Sequence, residues 1–130
     1  VNHADLVGLL KDGISERGGR WADLGAGEGN FTLALADLLG PGAHITAVDR
    51  DRNALGVLTS RTSNVEVMTA DFSKPIGLRD LDGVVMANSL HFVRDKKPVL
   101  EAVSKMLKPG GSLIVVEYST DRGNPWVPHP

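Results

Sequence analysis

A chain of 130 residues with net charge −2 and 42% apolar residues has the length of one domain and enough apolar content for a packed core. No cysteine is present, which excludes thiolate catalysis and cysteine metal sites and fits a reducing cytoplasm, the expected location. No Lys/Arg cluster marks a nucleic-acid partner, and no apolar run approaches the roughly 18 residues of a membrane-spanning helix.

Taken in order, residues 5–14 place Leu6, Leu9, Leu10 and Ile14 near one face of a helix, which Gly18 and Gly19 end. A short strand is predicted over 20–24, followed by a glycine-rich turn and a helix over 30–39 that Gly40-Pro41-Gly42 stops. The second strand covers 44–48 and runs into Asp49-Arg50-Asp51, with a helix over 52–61 behind it. The third strand, 65–69, leads to Asp71-Phe72 and a loop over 73–80 carrying Pro75 and Gly77. Residues 82–88 form a continuous apolar run suited to a strand buried on both faces. A helix over 96–107 turns inward Val99, Leu100, Val103, Met106 and Leu107. Lys108-Pro109-Gly110-Gly111 then turns the chain into a fifth strand over 112–118. Residues 120–130, with three prolines, read as irregular.

Strands alternating with helices predict an α/β fold, a doubly wound and mainly parallel sheet of about five strands with helices on both faces. In such a sheet ligands sit beyond the carboxyl ends of the strands. Asp23, Asp49, Asp71, Asn88 and Glu117 all fall at those ends.

The turn after the first strand reads Asp23-Leu-Gly25-Ala-Gly27-Glu-Gly29. Glycines there let a ligand approach the backbone, and the next helix offers free N–H groups. The dinucleotide fingerprint needs a third glycine where Asn30 stands, which disfavours a nicotinamide dehydrogenase. Asp-x-Gly-x-Gly-x-Gly resembles instead the first motif of the class I S-adenosylmethionine-dependent methyltransferases, the Rossmann-like methyltransferase superfamily. Asp49, Asp71-Phe72 and Leu107-Lys-Pro-Gly-Gly-Ser-Leu-Ile-Val-Val116 match later motifs in order, so the resemblance covers about residues 20–118.

The resemblance implies S-adenosyl-L-methionine as cofactor. Asp23, Gly25, Gly27 and Gly29 would shape its methionine and ribose pocket, and Asp49, with Arg50 beside it, would hold the ribose. Asp71 would accept from the adenine amino group, Phe72 would pack on the ring, and Asn88 would stand near the methyl group. Each has a plain alternative: Asp49 as cap of the following helix, a duty Asp51 fits equally well, and Asp71 as a loop turn. His91, in Asn88-Ser-Leu-His-Phe92, is the candidate general base because its ionisation lies near neutrality; simple packing beside the cofactor is its alternative.

The expected activity is methyl transfer to a small-molecule oxygen, nitrogen or carbon, with no metal, nucleic acid or membrane partner. The alternative is a module that binds S-adenosylmethionine or S-adenosylhomocysteine without turnover. No Asn/Asp-Pro-Pro-aromatic motif follows the fourth strand, and without cysteine there is no nucleophile for cytosine C5 chemistry. The family's sheet ends in a two-strand hairpin that the twelve residues after Tyr118 leave no room for. The chain is therefore expected to be a single core domain over 1–130, truncated at its C-terminus. Its fifth strand would then be an open apolar edge able to recruit a second copy, unless the tail with Trp126 folds over it.

Overall fold

The computed structural model describes residues 2–117. Over that span the chain runs α1 (His3–Lys11), β1 (Arg20–Leu24), α2 (Asn30–Leu39), β2 (His44–Asp49), α3 (Arg52–Arg61), β3 (Val65–Thr69), β4 (Leu81–Ala87), α4 (Lys96–Met106) and β5 (Leu107–Val116). The strands form one sheet in the order β3-β2-β1-β4-β5, every neighbouring pair parallel. The expected doubly wound architecture is therefore present. The chain steps outward from β1 to β3, then crosses back to β4, which makes the space between β1 and β4 the switch point.

Alternation along the strands sorts side chains between two faces. Trp21, Ile45, Val85 and Ala87 pack with Leu6 and Leu10 of α1 and Ala34, Leu35 and Leu39 of α2. Ala47 of the same face takes Leu55 and Leu58 of α3. Ala22, Leu24, Val48, Val84 and Met86 turn the other way, onto Val99, Val103 and Met106 of α4. No helix joins β3 to β4, and Phe72, Ile76 and Leu78 of that loop pack on the α4-side core instead.

Side-chain caps set the starts of α1, α3 and α4. Asn2 accepts from the Asp5 N–H, so α1 begins before the predicted position. Asp51 caps α3 through Asn53 and Ala54, and Asp95 caps α4 through Lys97.

Several expectations are corrected. Leu9 is 56% exposed, because α1 ends at Lys11 and turns only Leu6 and Leu10 fully inward; Ile14 joins the same core from beyond the helix. Leu100, within α4, is exposed rather than turned inward. Strand β4 begins at Leu81 and stops at Ala87, leaving Asn88 outside with φ 54°. Ladder pairing of β5 starts at Leu107, opposite Leu81, and resumes at Ser112 opposite Gly83, so residues 108–111 bulge out between the two. At the outer edge of the sheet, Leu113 and Val115 of β5 are exposed. The expectations for Tyr118 and for the tail with Trp126 fall outside the described residues.

Candidate functional site

The turn after β1 is fastened to β2. The Gly25 and Ala26 N–H groups both donate to the Val48 carbonyl, at 2.7 and 2.9 Å. Gly25 has φ +81°, and a Cβ there would drive into the Ser89 side chain. Gly29 has φ +93°, begins α2, and rests against Leu58, which leaves no room for a side chain. Gly27 contributes its N–H, which donates to Asp49 Oδ2 at 2.9 Å.

Asp49 stands at the end of β2 with its other oxygen, Oδ1, accepting from the Asp51 N–H at 2.8 Å. An ionised carboxylate has about four lone-pair sites, so two main-chain donors hold it in place and leave acceptor capacity. Because Asp51 supplies the cap of α3, Asp49 is released from that duty. At the end of β3, Asp71 Oδ1 accepts from both the hydroxyl and the N–H of Ser73, at 2.6 and 2.9 Å. The Ser73 hydroxyl, then its N–H, hold this carboxyl below its ordinary value, with Lys74 and Arg50 adding to the effect.

A cleft of about 470 Å³ opens beyond these strand ends, lined by Gly25, Asp49, Asp71, Phe72, Asn88 and Phe92 among others. Arg50 also lines it. Asp23 does not. It is 1% exposed and accepts from the Thr32 hydroxyl at 2.7 Å, tying the end of β1 to the first turn of α2. Burial pushes its carboxyl up from 3.8 to about 6, opposed by the Thr32 hydroxyl and reinforced by the charge of Asp49.

The cleft continues to β4. Asn88 donates its N–H to the Val116 carbonyl at 2.6 Å and holds a left-handed backbone that non-glycine residues rarely adopt. Ser89 is buried and donates its hydroxyl to the Leu24 carbonyl, joining this loop to the end of β1. The next residues, Leu90–Phe92, form a single 3-10 turn. His91 within it is 2% exposed and is not among the cleft-lining residues, whereas its neighbour Phe92 is 55% exposed and lines the cleft.

Of the residues singled out in the sequence, Gly25, Asp49, Arg50, Asp71, Phe72 and Asn88 meet at the cleft. Gly27, Gly29 and Asp23 support it from behind through Asp49, Leu58 and Thr32. Thr32 and Glu117 gained no role from the sequence, and Ser89 only its place in the segment 88–91 expected near the methyl group. Of the first two, only Glu117 carried a signal, its place at a strand end.

Fold and cleft together define a doubly wound α/β protein whose open site lies at the switch point of its sheet. The chain belongs to the methyltransferase-domain family, whose model matches residues 15–128. It is similar to the ubiquinone/menaquinone biosynthesis C-methyltransferase UbiE of Pseudomonas savastanoi, at 33% identity over 109 residues that make up 78% of this chain and 43% of the relative. It is also similar to the demethylmenaquinone methyltransferase of Staphylococcus aureus, at 30% identity, covering 85% of this chain and 48% of that protein. The chain thus spans less than half the length of these relatives. Among solved structures, a SAM-dependent methyltransferase from Aquifex aeolicus superposes with a TM-score of 0.78 at 24% identity, over 93% of this chain and 69% of that one. Coclaurine N-methyltransferase, solved with N-methylheliamine and SAH, gives 0.78 at 21% identity, over 86% and 34%. Among the described residues no helix is long and apolar enough to cross a membrane.

Proposed function

We propose that the protein transfers a methyl group from S-adenosylmethionine to a small-molecule acceptor. The observation that carries this reading is Asp49: its carboxylate is braced by two main-chain N–H groups and still lines an open cleft. A carboxylate so held suits the paired hydroxyls of a ribose. The residues present fit the cofactor in a second respect, since Gly25 lines the cleft and presents bare main chain there.

S-adenosylmethionine, when bound, supplies a methyl carbon activated by its sulfonium for in-line displacement. The residues of the chain do the rest. Asp49 accepts from the ribose hydroxyls, with Arg50 flanking it. Asp71 offers Oδ2, which has no bond among the described residues, to the adenine amino group, and Phe72 packs on the ring. Gly25 admits the ligand close to the backbone, and Gly27 holds Asp49 from behind. Gly29 and Asp23 hold the start of α2 in place, and Asn88 faces the methyl-bearing end. Catalysis is then chiefly alignment of acceptor and methyl carbon and exclusion of water.

The acceptor class follows the relatives' names: a quinone-type ring methylated at carbon is the first candidate, with the reaction in the cytoplasm. Incubation with S-adenosylmethionine and naphthohydroquinone, followed by assay of S-adenosylhomocysteine, tests the reading. Product formation above the acceptor-free rate is expected. Tight S-adenosylhomocysteine binding without turnover on any hydroquinone, phenol or amine would favour a binding module instead.

A further inference from the structure

At the carboxyl edge of the sheet the cleft runs from Asp71 and Asp49, after β3 and β2, to Asn88 and Ser89 after β4. A ligand with its adenosine at the first pair has its methyl group toward the second. An acceptor must then approach from the side of β5, the next strand in order. Glu117 directly follows β5, and its carboxylate grips His91 at two points. The His91 N–H donates to Oε1 at 3.1 Å, and ring Nδ1 lies 2.6 Å from Oε2.

An ionised carboxylate only accepts, so Nδ1 carries a proton, and in the neutral ring Nε2 then keeps a lone pair. That Nε2 is buried and has no hydrogen-bond partner among the described residues. An unsatisfied buried acceptor is costly and calls for an explanation. The Phe92 ring packs on the imidazole with centroids 4.3 Å apart and also lines the cleft. Phe92 thus stands both against the imidazole and on the cleft, so a planar acceptor that displaces Phe92 would meet His91.

We propose that His91 Nε2 takes the proton of an aromatic hydroxyl on the methyl acceptor, with Glu117 as the positioning residue that fixes the tautomer. This rests on the methyltransferase reading above and narrows the acceptor to phenols and hydroquinones. The acceptor O–H bond breaks and its proton passes to Nε2, where Glu117 stabilises the imidazolium. The electron pair released into the ring forms the bond from ring carbon to methyl carbon. The methyl–sulfur bond breaks, and its electrons stay on sulfur as the neutral thioether. The ring C–H proton then leaves to restore the aromatic hydroxyl, and His91 reprotonates the ring oxygen, so one proton is released per turnover.

Two measurements on the whole chain test this. Nitrogen NMR of the imidazole in wild-type protein should show the neutral ring with its proton on Nδ1 and Nε2 unprotonated. Methyl transfer to naphthohydroquinone should fall about 10²–10⁴-fold in His91→Gln and about tenfold or more in Glu117→Gln. KM for S-adenosylmethionine should stay within about twofold, and the loss should shrink as rising pH ionises the probe by itself. Glu117→Asp should recover part of the rate. Retained S-adenosylhomocysteine binding shows that the variants fold. A neutral ring protonated at Nε2 in the wild type, or variants that keep the wild-type pH profile, would overturn the proposal. Wild-type protein that binds S-adenosylhomocysteine but leaves the hydroquinone unmethylated overturns the acceptor class. Failure to bind the cofactor at all would instead sink the parent reading.

Discussion

At the ends of β2 and β3 the carboxylates are held by main-chain donors: Asp49 by Gly27 and Asp51, Asp71 by Ser73. At the ends of β4 and β5 the arrangement is tenser. Asn88 holds a left-handed backbone, and His91 grips Glu117 while its other nitrogen has no partner among the described residues. The first half is preorganised, which suits a ligand that is the same in every turnover. The second half holds a left-handed Asn88 and, among the described residues, an unmet hydrogen bond at His91, features that cluster at functional sites. Division of the cleft into a settled side and an expectant side is the physical content of the functional reading.

The harshest way to break the settled side is Gly25→Ala. A left-handed φ and a methyl group driven into Ser89 act together, and the cost should be about 2–4 kcal/mol of stability. Denaturant unfolding measures it. A variant within about 0.5 kcal/mol of wild type would mean that the turn relaxes and the cradle is soft.

Asp23 tests whether the support behind the turn is charged. Its carboxyl is raised from 3.8 to about 6, so the folded protein holds a proton that the unfolded chain has already released between those values. Stability from this group is fully present below pH 3.8 and is lost as pH rises through about 6. The shift corresponds to a loss on the order of 3 kcal/mol. Asp23→Asn keeps an acceptor for Thr32 and removes the titration. Its stability relative to wild type should therefore improve from pH 4 to pH 7, as followed by urea midpoints. A difference that stays flat with pH would show that Asp23 is not buried as a carboxylate.

The ribose carboxylate comes next. Asp49→Ala should weaken S-adenosylhomocysteine binding by roughly 1.5–3 kcal/mol, through loss of hydrogen bonds to a charged acceptor. Smallest is the helix cap: Asp51→Ala removes the bonds to Asn53 and Ala54 and should cost about 1 kcal/mol of stability. An unchanged thermal midpoint would show that α3 needs no cap.

Much of this was legible in the chain. Strand-to-helix alternation, the buried fourth strand and the glycine turn follow from periodicity and from residues with one dominant conformational use. Asp49 and Asp71 could be located because strand ends are where this architecture gathers ligands. The competing duty of Asp49 was decided only in space, by the contacts of Asp51 with Asn53 and Ala54. Leu9 misled because helical spacing records which residues share a face, and the short α1 buries only part of it. The His91–Glu117 pair joins residues 26 apart in sequence, brought together by the parallel pairing of β4 with β5. Local pattern carries no trace of such a pairing.

Isothermal calorimetry of S-adenosylhomocysteine binding to Asp49→Ala and to Glu117→Gln, set against wild type, tests the division of the cleft most directly. Affinity should drop roughly 10–150-fold in Asp49→Ala, the equivalent of the loss expected above, and stay within about twofold in Glu117→Gln. Equal losses in both variants, or full affinity in Asp49→Ala, would contradict it.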